Sequence, residues 1–186
     1  MNVKVNEVLD AKGLACPMPI VKTKKVMKGL SPGFVLEVQA TDRGSTADMK
    51  AWSESTGHQY LGTLEDGDVL KHYIRKSSDE ESKNEKKHPL VVTNDELQQK
   101  LSEQIVVLDV RENAEYVFNH IPQAISLPLG ELESRLHELN KMDEIYVICR
   151  TGSRSDLAAQ KLAEHGFTNV KNVVPGMSQW SGETNK

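Results

Sequence analysis

Apolar residues recur along the chain with two different rhythms, and the change of rhythm divides it. In the first, short alternating stretches are separated by single amphipathic ones. Val3-Lys4-Val5 through Leu9-Asp10 alternates as a half-buried strand does. Pro17 suits the first turn of a helix, and Ile20, Val21, Val26, Met27 and Leu30 then supply an apolar stripe that Ser31-Pro32-Gly33 ends. Residues 34–40 predict a second strand, and Thr41-Asp42-Arg43-Gly44-Ser45 leads into a helix bearing Ala47, Met49 and Trp52 that stops near Gly57. Tyr60-Leu61 and residues 69–74 pair across Glu65-Asp66-Gly67-Asp68, a hairpin signal. The expectation is four strands and two helices, with Met49, Trp52 and Tyr73 in the core.

The second rhythm begins at Leu90-Val91-Val92, which runs into Thr93-Asn94-Asp95-Glu96, a capping box. Nearly continuous apolar runs follow at residues 105–109, 124–127, 145–148 and 170–174, as strands covered on both faces require. Amphipathic stretches lie between them, at residues 129–139 and 156–165, the latter with Gly166 as C-cap. Such alternation implies a mainly parallel sheet with helices on both faces, an α/β/α domain. Ligands of such sheets bind beyond the carboxyl ends of the strands, and Cys149 follows one directly.

Between the two rhythms, residues 77–88 hold seven charges and no large apolar residue. Such a stretch cannot bury enough surface to offset its ordering entropy, so it reads as a flexible linker that lets two small domains reorient. The expected organisation is therefore residues 1–76, a charged linker at 77–88, and residues 89–186. Charge is unequally shared: residues 1–76 carry 11 Lys/Arg against 9 Asp/Glu, and residues 90–186 carry 9 against 14. Lys22, Lys24, Lys25 and Lys28 fall on one predicted helix, either a solvated face or a docking surface for an acidic partner. A net charge of -4 does not point to nucleic acid, and no apolar stretch approaches the roughly 20 residues of a membrane helix. Two distant cysteines make no disulfide framework, so the expected setting is the reducing cytoplasm.

Those two cysteines carry the candidate chemistry. Each stands where a strand or loop hands over to a helix, whose unpaired N–H groups and partial positive charge favour a thiolate. Cys149 opens Cys149-Arg150-Thr151-Gly152-Ser153-Arg154. Gly152 lets the backbone curl so that N–H groups point inward at the sulfur. Arg150 and Arg154 offer two positive charges, and Ser153 and Ser155 offer hydroxyl donors. Such a ring would stabilise a thiolate, a persulfide or a bound oxyanion. Cys16 lies in Cys16-Pro17-Met18-Pro19, where Pro17 fixes a helix start and places Cys16 at the expected N-cap, its sulfur near the unpaired amides. Pro17 and Pro19 cost conformational freedom that a cap alone would not demand.

These motifs carry two resemblances. Residues 89–182 resemble a rhodanese domain, through Leu108-Asp109-Val110-Arg111-Glu112, Glu115-Tyr116, His120-Ile121-Pro122, the Cys149 loop, Gly166-Phe167 and Gly176-Met177-Ser178-Gln179-Trp180. Asn119 and Pro175 stand where the family usually has glycine. The resemblance implies that Cys149 takes a sulfane sulfur and holds it as a persulfide. Four residues between Cys149 and Arg154, one fewer than in related phosphatases, favour sulfur over a larger oxyanion. Asp109 and His120 would be supports, and Arg111 would help to shape the pocket. Residues 3–76 resemble the TusA/SirA-like family of two-layer α/β sulfur carriers, a mixed four-stranded sheet with two helices. Asp10, Gly13-Leu14, Cys16-Pro17-Met18-Pro19, Thr41-Asp42, Asp48-Met49, Trp52 and Thr56-Gly57-His58 carry it. It implies that Cys16 accepts sulfur.

The expected function is sulfur transfer as persulfide among a small donor such as thiosulfate, Cys149, Cys16 and an acceptor sulfur-trafficking protein. The relay could run in either direction. No metal or organic cofactor is expected, since six histidines are scattered without ligand spacing. Two other classes remain compatible with the residues: a thiol–disulfide sensor joining Cys16 to Cys149, and a non-catalytic adaptor.

Overall fold

A computed structural model of the chain describes residues 3–79, 81 and 85–186. It divides into two compact units, Met1–Lys86 and Lys87–Lys186. Residues 80 and 82–84 of the expected linker lie outside the described residues. The two ends of that stretch are buried, each within its own unit. Ser77 is 1% exposed, with its hydroxyl 2.7 Å from His58 Nδ1. In the second unit, His88 N–H donates to Asp156 Oδ1 at 2.9 Å and its Nε2 donates to Val170 O at 2.6 Å.

In the first unit, β1 (Glu7–Ala11), α1 (Met18–Gly29), β2 (Val35–Ala40), α2 (Ser45–Thr56), β3 (Gln59–Asp66) and β4 (Val69–Arg75) form a sheet of order β1-β2-β4-β3 with two helices. β1 and β2 are parallel and the other pairs antiparallel. Alternation along β2 shows that only one face is covered. Leu36, Val38 and Ala40 are fully buried, whereas Val35, Glu37 and Gln39 are half-buried. Met27, Met49, Trp52 and Ile74 complete that core. The first strand begins later than its alternation predicts. Asn6 Oδ1 accepts from Val35 N–H at 2.8 Å, so a side chain takes the ladder position that a backbone carbonyl would hold. Gly57 adopts the left-handed conformation (φ 80°) and ends α2.

In the second unit, β5 (Val91–Thr93), α3 (Asn94–Lys100), β6 (Val106–Asp109), α4 (Asn113–Phe118), β7 (Ile125–Ser126), β8 (Ile145–Ile148), α5 (Ser153–Glu164) and β9 (Val170–Val174) build a five-stranded sheet of order β5-β9-β8-β6-β7. Every pairing is parallel. β8 is central and buried along its whole length, as its unbroken apolar run requires. The capping box at Thr93 forms with both of its hydrogen bonds. Residues 129–139 depart from the expected α-helix and form two 3₁₀ segments, Leu129–Glu131 and Glu133–Glu138. The reason is spacing. Leu129 and Leu132, three residues apart, are both buried, and three residues per turn stacks them on one face.

Candidate functional site

Cys149 follows the last residue of β8, so its position is set by the most deeply buried strand of the second unit. The chain turns there without a regular element until α5 begins at Ser153. Gly152 N–H donates to Cys149 Sγ at 3.1 Å, and Ser155 Oγ lies 3.3 Å from the same sulfur. Gly152 has φ 98°, and a Cβ there would meet Val174 Cγ1 at 2.8 Å, so both conformation and space call for glycine. Cys149 and Ser155 are fully buried, while Arg150, Thr151 and Ser153 are half-buried.

A second layer holds this loop by its carbonyls. Met177 N–H donates to Cys149 O and Ser178 N–H to Arg150 O, both at 2.9 Å. Gly176 allows that approach, because its Cβ would lie 2.5 Å from Cys149 O and 2.8 Å from Arg150 O. The amide of Asn94 brackets Gly176, donating to its carbonyl at 2.9 Å and accepting from its N–H at 3.1 Å. Asn172, on β9, donates to Gly152 O at 3.2 Å and accepts from Ser155 Oγ at 2.6 Å. Neither Asn94 nor Asn172 was singled out by sequence. Their partners lie 82 and about 20 residues away, and no local pattern announces such a bond.

The structure gives the arginines specific partners. Arg154 is 1% exposed and makes a two-pronged ion pair with Glu115, at 2.8 and 3.0 Å. Its charge is therefore shared with a carboxylate, where the sequence offered it to the loop alone. Burial pushes the Glu115 carboxyl up, but the Arg154 bonds and charge, the Glu112 N–H and the Arg111 charge outweigh it and hold it below the usual range. Arg111 lies 2.6 to 3.1 Å from both oxygens of Asp109 and donates to Asn119 O at 2.7 Å. It thus fixes the turn before His120, the place where asparagine replaces the expected glycine. His120 stacks on Tyr116 with ring centroids 3.9 Å apart.

In the first unit Cys16 is not the N-cap. α1 starts at Met18, Pro17 takes the cap position, and Pro19 sits in the first turn. The Cys16–Pro17 peptide is cis, and Met18 N–H closes a turn on Ala15 O at 2.9 Å, so the turn occupies the residues that a cap would use. This turn is tied to the loop after β2. Cys16 N–H donates to Asp42 Oδ2 at 3.0 Å, Gly44 N–H to Asp42 Oδ1 at 3.1 Å, and Gly13 N–H to Thr41 Oγ1 at 2.9 Å. Cys16 is 5% exposed, beside Met18 at 43%. Neither thiol is in a disulfide. Behind the same loop, Ser45 at the start of α2 lies 2.8 Å from Nε2 of His72, which is fully buried; burial pulls the imidazole pKa down to about 4.

Among the described residues, no group of three or more His, Cys, Asp or Glu is placed to hold a metal ion, and no helix is long and apolar enough to cross a membrane. Two family patterns match the chain: Sulfurtransferase TusA over residues 7–76 and Rhodanese-like domain over residues 93–183. The chain is 53% identical over 184 residues to "Putative sulfur carrier protein YrkF" of Bacillus subtilis, covering 98% of this chain and 99% of that protein. It is 44% identical over 69 residues to "Sulfur carrier protein TusA" of Allochromatium vinosum, covering 37% of this chain and 91% of that one. It is also 33% identical over 99 residues to "Adenylyltransferase and sulfurtransferase MOCS3" of Arabidopsis thaliana, covering 45% of this chain and 21% of that one.

Proposed function

The chain belongs to the sulfur carriers and sulfurtransferases that join a TusA domain to a rhodanese-like domain, and from that premise we propose that it moves sulfane sulfur as persulfide between Cys149 and Cys16. The observation that carries this reading is the Cys149 loop, where a thiol at the carboxyl end of a buried strand meets an N–H and a hydroxyl aimed at its sulfur. With thiosulfate as donor, the Cys149 thiolate attacks the outer sulfur. One S–S bond forms, the S–S bond of thiosulfate breaks, and sulfite leaves with the bonding pair. Cys149 then bears a persulfide anion. Gly152 N–H orients the sulfur, while Arg150, Thr151, Ser153 and Arg154 line the turn that holds it. Cys16 thiolate next attacks the terminal sulfur of that persulfide, taking it and restoring the Cys149 thiolate.

Both thiols are buried at rest, so each step begins with local opening around the sulfur. Cys16 has the exposed Met18 beside it and the lysines of α1 beyond, and it hands sulfur on to an acceptor protein that this surface docks. Intact mass after treatment with thiosulfate or a low-molecular-weight persulfide tests the reading. The expected result is the gain of one sulfur atom at each cysteine. Loss of two hydrogens, marking a disulfide, or an unchanged mass with every donor would overturn it.

A further inference from the structure

Ser155 has one hydroxyl proton and two buried acceptors. Asn172 Oδ1 lies 2.6 Å from its oxygen and Cys149 Sγ 3.3 Å from it. The orientation of the Asn172 amide follows from its neighbours. Gly152 O can only accept, so the atom facing it is the amide nitrogen, and the oxygen faces Ser155. Ser155, Asn172 and Cys149 are 0%, 3% and 0% exposed, so each unmet bond here carries the full cost of a buried polar group. When Cys149 is a thiol, a chain of donations satisfies every member: S–H to Ser155 oxygen, and Ser155 O–H to Asn172 oxygen. When Cys149 is a thiolate, the two acceptors compete for one proton. The anion is the stronger acceptor, but turning the hydroxyl to it abandons the amide oxygen.

We propose that Ser155 and Asn172 form a proton-sharing pair that sets how readily Cys149 gives up its negative charge to incoming sulfur, with Asn172 acting as a positioning residue. In the thiolate the hydroxyl turns to Sγ. In the persulfide the charge moves to the terminal sulfur, Sγ becomes a neutral and poor acceptor, and the proton returns to Asn172. Asn172 thus rewards the persulfide over the thiolate by the bond it regains. No atom is transferred in this exchange: the hydroxyl rotates and keeps its proton.

The inference rests on the reading of Cys149 as the sulfur acceptor, and the test separates the two. The full chain is equilibrated with mixtures of thiosulfate and sulfite, and the persulfide fraction of the Cys149 peptide is measured by mass spectrometry. Asn172→Leu leaves the hydroxyl proton on the thiolate and should lower the persulfide-to-thiolate ratio by about threefold to tenfold. Ser155→Ala removes the donor from the thiolate and should raise it by a similar factor. The double variant should match Ser155→Ala, because Asn172 has no proton to compete for once the hydroxyl is gone. Ser155→Ala, the smaller change, keeps the proposal testable should the leucine variant fail to fold: an unchanged or lowered ratio in Ser155→Ala also overturns it. A merely structural role moves Asn172→Leu and Ser155→Ala the same way, and that outcome overturns the inference. Absence of sulfur on Cys149 in the unmodified chain overturns the underlying reading instead.

Discussion

The two thiols sit in different local frameworks. At Cys149 the sulfur itself is gripped, by Gly152 N–H and the Ser155 hydroxyl, and the carbonyls behind it are fastened by Met177 and Ser178. Around Cys16 the main chain is anchored to the loop after β2: its N–H goes to Asp42, and Thr41 and Asp42 hold the turn at Gly13 and Gly44. A group whose sulfur is surrounded by donors suits charge that must be stabilised while a bond is made and broken. One whose main chain is fixed at the start of a helix, next to an exposed methionine, suits a sulfur presented to a partner. Under the proposed relay, Cys149 would be the catalyst and Cys16 the carrier.

The sharpest way to break this comparison is to remove one thiol at a time. Cys149→Ser should reduce sulfite release from thiosulfate to background, because a serine hydroxyl neither ionises near neutral pH nor forms a persulfide. Cys16→Ser should leave the loading of Cys149 intact and abolish delivery to an acceptor. Loss of Cys149 loading in Cys16→Ser, or delivery to the acceptor that survives in either variant, would mean the sites are not in series.

Gly176→Ala attacks the second layer without touching either thiol. Its Cβ would stand 2.5 Å from a backbone oxygen that cannot swing away, at φ 83°. Crowding and backbone strain together should destabilise the second unit by about 3 kcal/mol and impair Cys149 loading. Hydrogen exchange of the first unit should be unchanged. Normal loading in that variant would show that the loop does not depend on its carbonyl contacts.

Acid should act on the two units at different pH. His72 is neutral and buried in the folded chain, with a pKa of about 4, whereas the unfolded chain binds its proton near 6.5. Between those values only the unfolded state takes up the proton, so the first unit loses stability as pH falls from about 6.5 to about 4, by up to about 3 kcal/mol. His72→Gln should flatten that slope. Glu115 works at the other end. Its folded pKa is depressed, so its contribution is present above the unfolded value near 4.5 and is lost as pH falls through the folded one. Denaturant midpoints against pH, read by hydrogen exchange in each unit, check both; a first unit indifferent to pH between 6.5 and 4 would contradict the His72 account.

The smallest expected effect is at Asp42→Ala. It removes the acceptor for Cys16 N–H and Gly44 N–H, costs about 1–2 kcal/mol, and should slow transfer through Cys16 several-fold while Cys149 loads normally. If transfer through Cys16 is unaffected, its main-chain anchoring is incidental.

Signals that act within a few residues were legible in the sequence. The Thr93 capping box, the stop at Gly57 and the unbroken apolar run of β8 all formed where the pattern put them. Signals that depend on a distant partner were not. Arg154 was visible as a charge beside Cys149, but its pairing with Glu115 spans 39 residues. Residues 129–139 have a helical composition, yet two leucines three residues apart drew the chain into 3₁₀ turns. Cys16 looked like a helix cap because its neighbours are prolines, and the turn closed by Met18 on Ala15 moved the helix start beyond it. At Cys149 the need for glycine at position 152 of the loop could be read directly. Asn94 and Asn172, which hold that loop in place, could not, because a buried amide bonding across a sheet leaves no periodic trace.

The central claim is that Cys149 and Cys16 act in series on one chain, and the most direct measurement follows labelled sulfur over time. Tethering should raise the effective concentration of one thiol around the other to about the millimolar range. Isotopically labelled thiosulfate loads Cys149 in the intact chain, and in parallel in a micromolar mixture of the Cys16→Ser and Cys149→Ser chains, with peptide-resolved mass spectrometry sampling both cysteines. The account predicts that label appears first on Cys149 and then on Cys16, much faster in the intact chain than in the mixture. Label reaching Cys16 no faster in the intact chain than in the mixture would contradict it.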